Sequence, residues 1–171
     1  VLPEYGVTSF IPTCCTAQEK DLLKKIKAIT LAMGKEKGAN ILGLHLEGPF
    51  LSPERIGAQT ADGISPVDLE LMQRLYKACK GKLINMTVAP ELKGMRELAL
   101  FCLEKSIVLQ AGHTNATYDQ MMEGLQAGIM HVTHLFNAMR PMHHREPGVV
   151  GAALIHPEIS CEIIGDGVHV N

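Results

Sequence analysis

The stretch Gly43-Leu44-His45-Leu46-Glu47-Gly48-Pro49-Phe50 carries one carboxylate on an apolar run to the point where regular structure stops. Ile41, Leu42, Leu44 and Leu46 predict a buried strand over 41–46. Its period of 2 puts His45 and Glu47 on one face and Leu44 and Leu46 on the other. Gly48-Pro49 ends the strand. An ionised carboxylate at the mouth of an apolar strand is costly unless a metal ion or an arginine compensates its charge. The plainer alternative is a glutamate paired with a surface lysine.

Outward from this strand, helix and strand signals alternate. Upstream, Val7 to Thr13 reads as a strand. Gln18 to Lys37 reads as a helix with Leu22, Leu23, Ile26, Ile29, Ala32 and Met33 on one stripe and Gly38 as its stop. Downstream, Ser52 to Ser65 is a polar loop of a length that suits function. Ser65 as cap and Pro66 at the first position then predict a helix to about Lys80. Further strands are expected over Leu83–Ala89, Ile107–Ala111, Ile129–Leu135 and Ser160–Gly165. Further helices are expected over Met95–Lys105, from Thr114 or Thr117 to Ala127, and from Gly148 to about Ile155.

Such alternation calls for a parallel sheet with crossover helices, either doubly wound or a (β/α)8 barrel. Polar residues recur just past many different strand ends, at Glu47, Glu91, His113, His134 and His169. A barrel mouth draws on several strand ends in this way, whereas a doubly wound sheet concentrates its site at one switch point. A full barrel takes about 250 residues. The 171 residues here suffice for about six of eight strands, and the expectation is a segment of a larger enzyme.

Composition narrows the function classes. A net charge of −2 offers no basic field for nucleic acid or anionic membrane, and the absence of Trp with 4% aromatics argues against stacking platforms. No run of about 18 apolar residues and no signal peptide are present. Cys14, Cys15, Cys79, Cys102 and Cys161 are odd in number and lack a C-x-x-C pair, which points to reduced thiols and a cytoplasmic protein.

Counting by twos groups Ile107, Leu109, Ala111 and His113 on one face, and Met130, Val132 and His134 on another, with His131 and Thr133 opposite. On this count His113 and His134 converge with Glu47 inside the mouth, and His131 faces the helical layer. Two histidines and one glutamate from three strand ends make a zinc-type set with a position open for water. His45 is expected beneath the metal as a hydrogen-bond donor to the site. His143 and His144 read as solvated, and His156 as a turn residue.

The runs G-L-H-L-E-G-P-F (43–50), A-G-H-T-N-A-T (111–117), T-H-L-F-N-A-M (133–139), R-E-P-G (145–148) and D-G-V-H-V (166–170) together resemble the N-acetylglucosamine-6-phosphate deacetylases of the amidohydrolase superfamily. The resemblance covers essentially the whole chain. It implies a (β/α)8 metallohydrolase barrel, of which residues 1–171 form a part, with the family's small β-sandwich domain outside the chain. It implies Glu47, His113 and His134 as ligands of a divalent metal, zinc ahead of iron or manganese. It implies substrate contacts from Ala58, Gln59, Asn137, Ala138, Arg145, Asp166, Gly167, Val168 and His169, with Arg145 meeting the sugar phosphate. Some members carry His at the position of Gln59, which can donate a hydrogen bond but cannot be cationic.

The implied reaction is hydrolysis of the N-acetyl group of a sugar phosphate, in a homodimer without nucleic-acid or membrane partners. The general acid/base aspartate is expected after Asn171, so no residue of this chain takes that role. The alternatives are an amidohydrolase acting on a cyclic amide or a base, and an inert fragment or binding scaffold.

Overall fold

The computed structural model describes residues 1–171. In chain order the main elements are β1 (Ser9–Phe10), β2 (Thr13–Cys15), α1 (Glu19–Ala32), β3 (Asn40–Ile41), β4 (Leu44–Glu47), α2 (Leu69–Cys79), β5 (Leu83–Val88), α3 (Met95–Glu104), β6 (Val108–Ala111), α4 (Tyr118–Gln126), β7 (His131–Val132), α5 (Gly148–Ile155) and β8 (Ser160–Cys161). Six strands form one sheet in the order β2-β4-β5-β6-β7-β8, and β1 pairs with β3. Every pairing is parallel. The order never reverses, as it would in a doubly wound sheet, and helices follow the strands as in a (β/α)8 barrel. No helix is long and apolar enough to cross a membrane.

The two faces of the sheet differ in chemistry. Leu44, Leu46, Met86, Val88, Leu109, Ala111 and Val132 are buried in a single core with Leu22 and Ile26 of α1, Met72 and Leu75 of α2, Leu98 of α3, Met121 of α4 and Val149 of α5. Each fully buried side chain of this size contributes about 1.5–3 kcal/mol. The opposite face is polar and hydrogen-bonded across strands. His45 meets Thr13 Oγ1 through Nδ1 (3.0 Å) and Thr87 Oγ1 through Nε2 (2.8 Å), and Thr87 meets Thr133 (2.8 Å). Asn85 Nδ2 donates to Gln110 Oε1 (2.9 Å), and Gln110 Nε2 donates to Glu162 Oε1 (2.5 Å).

Several boundaries differ from the sequence reading for local reasons. The expected first strand breaks into β1 and β2 around Ile11-Pro12, where Pro12 has no N–H to give to a ladder. α1 stops at Ala32, five residues before Lys37, with Gly34 rather than Gly38 in the left-handed conformation at its end (φ +76°). Leu42 is exposed. A Cβ at Gly43 would lie 2.3 Å from Ile84, and the ladder shifts register just after it, between Leu44 and His45. α2 begins at Leu69, since Asp68 Oδ1 accepts from the N–H groups of Glu70 and Leu71 (2.9 and 3.0 Å). Ser65 is therefore not the cap, and its hydroxyl is buried without a partner. Thr117, not Thr114, caps α4 in a reciprocal pair with Gln120. β7 and β8 are two residues each, shorter than expected.

Candidate metal centre

Glu47 stands at the last position of β4, paired on one side with Cys15 of β2 and on the other with Thr87 of β5. His113 follows β6 and His134 follows β7. Glu47 Oε1 lies 2.9 Å from His113 Nε2 and 3.1 Å from His134 Nε2, and the two Nε2 atoms are 3.1 Å apart. The imidazoles meet edge to face, with ring centroids 4.9 Å apart. Their side chains are 4% and 15% exposed, and that of Glu47 is 12% exposed.

The expected convergence is present, but period-2 counting does not explain it. Leu109, Ala111 and Val132, the residues grouped with the two histidines, belong to the helix-facing core. His113 and His134 leave that face because both adopt left-handed backbone, with φ of +47° and +35°. This turn past the strand end swings each ring over the mouth. Gly112 makes room for it: a Cβ there would lie 2.7 Å from Thr87 Cγ2 and 3.1 Å from Thr133 Cβ. His131 is the corresponding correction. It pairs in register with Gln110 of the polar face and hydrogen-bonds Ser160 Oγ, so it lines that inner face and not the helical layer. His45 also differs from expectation, since both its ring nitrogens meet threonines and neither meets a member of the triad. Burial lowers its pKa, which keeps it a neutral partner of those hydroxyls.

The donor set fits a cation. His113 Nδ1 donates to the Arg55 carbonyl (3.1 Å), so in the neutral ring Nε2 carries a lone pair aimed at Glu47 and His134. Lone pairs and a carboxylate oxygen packed at 2.9–3.1 Å repel unless protons or a metal ion lie among them. All three ligand atoms lie within 4.8 Å of one another, close enough to share one ion. Burial works against ionisation of Glu47, but the two imidazoles beside it outweigh that cost and hold the carboxyl well below the usual range. Burial likewise disfavours the imidazolium of His134, yet the Glu47 carboxylate outweighs it and raises the pKa.

The other sequence-derived residues are distributed around this centre. Gln59 Oε1 accepts from Thr16 N and Oγ1 (both 2.9 Å), which leaves its Nε2 as the donor end. Ala58 is exposed beside it. Gly57, next in the loop, is in left-handed conformation (φ +55°), and a Cβ there would lie 3.1 Å from His113 Cε1 and 3.0 Å from Ala138 Cβ. Asn137 turns its Nδ2 back onto the carbonyls of His134 (3.4 Å) and Leu135 (3.3 Å). Arg145 is exposed at the tip of a turn bridged between His143 and Glu146. Asp166 to His169 lie exposed at the far side, where Asp166 accepts from the N–H groups of Val168 and His169 and from His169 Nδ1 (2.6 Å).

Two participants escaped the sequence reading. Cys15 places its Sγ 3.8 Å from Glu47 Oε2, a proximity that only strand register reveals. Arg55 contributes its backbone carbonyl, which no side-chain pattern can signal.

N-acetylglucosamine-6-phosphate deacetylase of Bacillus subtilis (strain 168) is 41% identical over 172 residues, covering 98% of this chain and 43% of that protein. The human protein of the same name is 37% identical over 175 residues, covering 98% and 42%. The crystal structure of N-acetyl-D-glucosamine-6-phosphate deacetylase from Mycobacterium smegmatis superposes with a TM-score of 0.89 at 36% identity, covering 96% of this chain and 43% of that one. A variant of the Mycobacterium smegmatis enzyme in complex with N-acetyl-D-glucosamine-6-phosphate superposes equally well, with a TM-score of 0.89. The chain thus spans less than half the length of these relatives. The model of the amidohydrolase family matches residues 3–171, and the chain, with its parallel sheet and its strand-end Glu-His-His set, belongs to that family.

Proposed function

We propose that the protein containing this chain hydrolyses the N-acetyl group of N-acetylglucosamine 6-phosphate to glucosamine 6-phosphate and acetate. The observation that carries the reading is the meeting of Glu47 Oε1, His113 Nε2 and His134 Nε2 from three separate strand ends, in a chain whose relatives bear that activity in their names. A divalent cation held by these three atoms, zinc by the chemistry of two imidazoles and one carboxylate, supplies Lewis acidity toward water and toward an amide carbonyl.

The chain's own residues supply binding and orientation. Gln59, its Oε1 already engaged by Thr16, directs Nε2 toward the acetyl oxygen as a hydrogen-bond donor. Ala58, Asn137 and Ala138 line the sugar site, and Asp166, Gly167, Val168 and His169 close its far side. Arg145 takes the phosphate through paired N–H donors. The proton for the departing amine comes from an aspartate C-terminal to Asn171. In this reading residues 1–171 are part of a (β/α)8 barrel domain, and the whole protein is a cytoplasmic homodimer.

The test is acetate release from N-acetylglucosamine 6-phosphate by the zinc-loaded protein. Equal amounts of acetate and glucosamine 6-phosphate are expected. No release from this sugar phosphate, together with hydrolysis of a cyclic amide or deamination of a base, contradicts the substrate assignment.

A further inference from the structure

Asn115 lies two residues beyond His113 and touches no member of the triad, yet all four of its polar groups are engaged by different partners. Its N–H donates to Glu91 Oε1 (2.6 Å), after β5. Its carbonyl accepts from Arg140 Nε (2.9 Å), in the loop after His134. Its side-chain Oδ1 accepts from Arg55 Nε (3.0 Å), and its Nδ2 donates to Glu54 Oε2 (2.7 Å), both in the turn after Glu47. One residue therefore ties together the loops that follow all three ligand-bearing strands.

The same knot has a direct route to a ligand. Arg55, gripped by the Asn115 amide, is the residue whose carbonyl accepts from His113 Nδ1 (3.1 Å). That contact keeps the proton on Nδ1 and the lone pair on Nε2. Neighbouring bonds hold the turn on the same side, with Ser52 N donating to the His113 carbonyl (2.9 Å) and Thr114 Oγ1 to Glu91 Oε2 (2.5 Å).

We infer that Asn115 is a positioning residue for the metal centre: its side-chain amide holds Glu54-Arg55 so that the Arg55 carbonyl fixes the ring and tautomer of His113. This rests on the metal-centre reading above. The physical cause is order. An imidazole whose second nitrogen lacks a fixed acceptor samples both tautomers and several ring angles, and only one combination presents Nε2 to the ion.

The test is zinc affinity of the protein, by competition with a chromophoric chelator, together with ¹⁵N shifts of the His113 ring in the metal-free state. Asn115→Ala keeps the backbone bonds to Glu91 and Arg140 and removes only the amide. It is expected to weaken zinc binding about 10–100-fold, the range for residues that orient a ligand, and to shift His113 from an Nδ1–H ring to a tautomer mixture. The thermal midpoint of the metal-free protein should move little. Unchanged zinc affinity, or a weakened affinity with the His113 tautomer intact, overturns the inference. If Asn115→Ala fails to fold, Arg55→Met, which keeps the carbonyl but loses the guanidinium grip, should weaken zinc in the same direction, and equal affinity there overturns it. Absence of zinc binding by the unaltered protein instead removes the metal reading itself.

Discussion

Two regions of the sheet carry distinct sequence motifs in different surroundings. Around Glu47, His113 and His134, the strands β4, β6 and β7 each have neighbours on both sides, and their following loops are knotted through Asn115. Elsewhere, within residues 1–171, β8 pairs with β7, and Asp166 to His169 hydrogen-bond among themselves. Within this segment, the Glu47, His113 and His134 side chains are fixed by the loops that bracket them.

Removing one ligand should have the largest effect. Glu47→Ala or His113→Ala should abolish zinc retention, a loss well beyond the roughly 10–100-fold associated with supporting residues. Asp166→Ala should leave metal content unchanged, as measured by elemental analysis after gel filtration. Loss of metal in the Asp166 variant would show that the terminal turn supports the metal centre.

Stability should divide the same way. Leu46 is fully buried behind the Glu47 strand, and Leu46→Ala should cost about 2–5 kcal/mol in urea unfolding. Val168, 84% exposed within residues 1–171, should cost under about 0.5 kcal/mol when replaced by Ala in that segment. Comparable losses at both positions would contradict the burial assigned to Leu46.

Thiol chemistry offers a finer probe, because each region has an exposed cysteine, Cys15 beside Glu47 and Cys161 on β8. Burial and then the negative charge of Glu47 raise the pKa of Cys15, whereas burial alone raises that of Cys161. Glu47→Gln should therefore speed alkylation of Cys15 and leave Cys161 unchanged. Cys79 and Cys102, pushed up to about 12 by burial, should label only on unfolding. Equal acceleration at Cys15 and Cys161 would show that the charge of Glu47 is not felt locally.

The smallest effect concerns the terminal turn. Backbone N–H groups of His169 and Val168, and then the His169 ring, lower the Asp166 carboxyl to about 2. A depressed carboxyl favours the ordered turn above its unfolded value of about 3.9, and that preference is lost as pH falls through about 2. Amide shifts of Val168 and His169 should titrate in that window while those of Gly112 and Thr114 do not.

Much of this contrast could be read from residue order. Alternation of strand and helix signals gave the parallel sheet, and the apolar-polar period of Leu44-His45-Leu46-Glu47 gave the correct faces of β4. What failed was local. The cap of α2 went to Asp68 because its carboxylate meets two N–H groups, a choice that Ser65-Pro66 obscured. The faces of His113 and His134 were inverted by left-handed backbone just past the strands, which no period of 2 can anticipate. The same count puts His131 on the helical side, whereas its register with Gln110 puts it on the polar face. Glu54, Arg55 and Asn115 were missed since their role depends on contacts between loops far apart in sequence.

The central claim is that Glu47, His113 and His134 share one ion. Anomalous scattering at the zinc edge from crystals of the zinc-loaded protein tests it most directly. The predicted result is one peak bonded to Glu47 Oε1, His113 Nε2 and His134 Nε2 at about 2.0–2.2 Å. A zinc peak bound elsewhere, or the three side chains turned apart around an empty mouth, would contradict it.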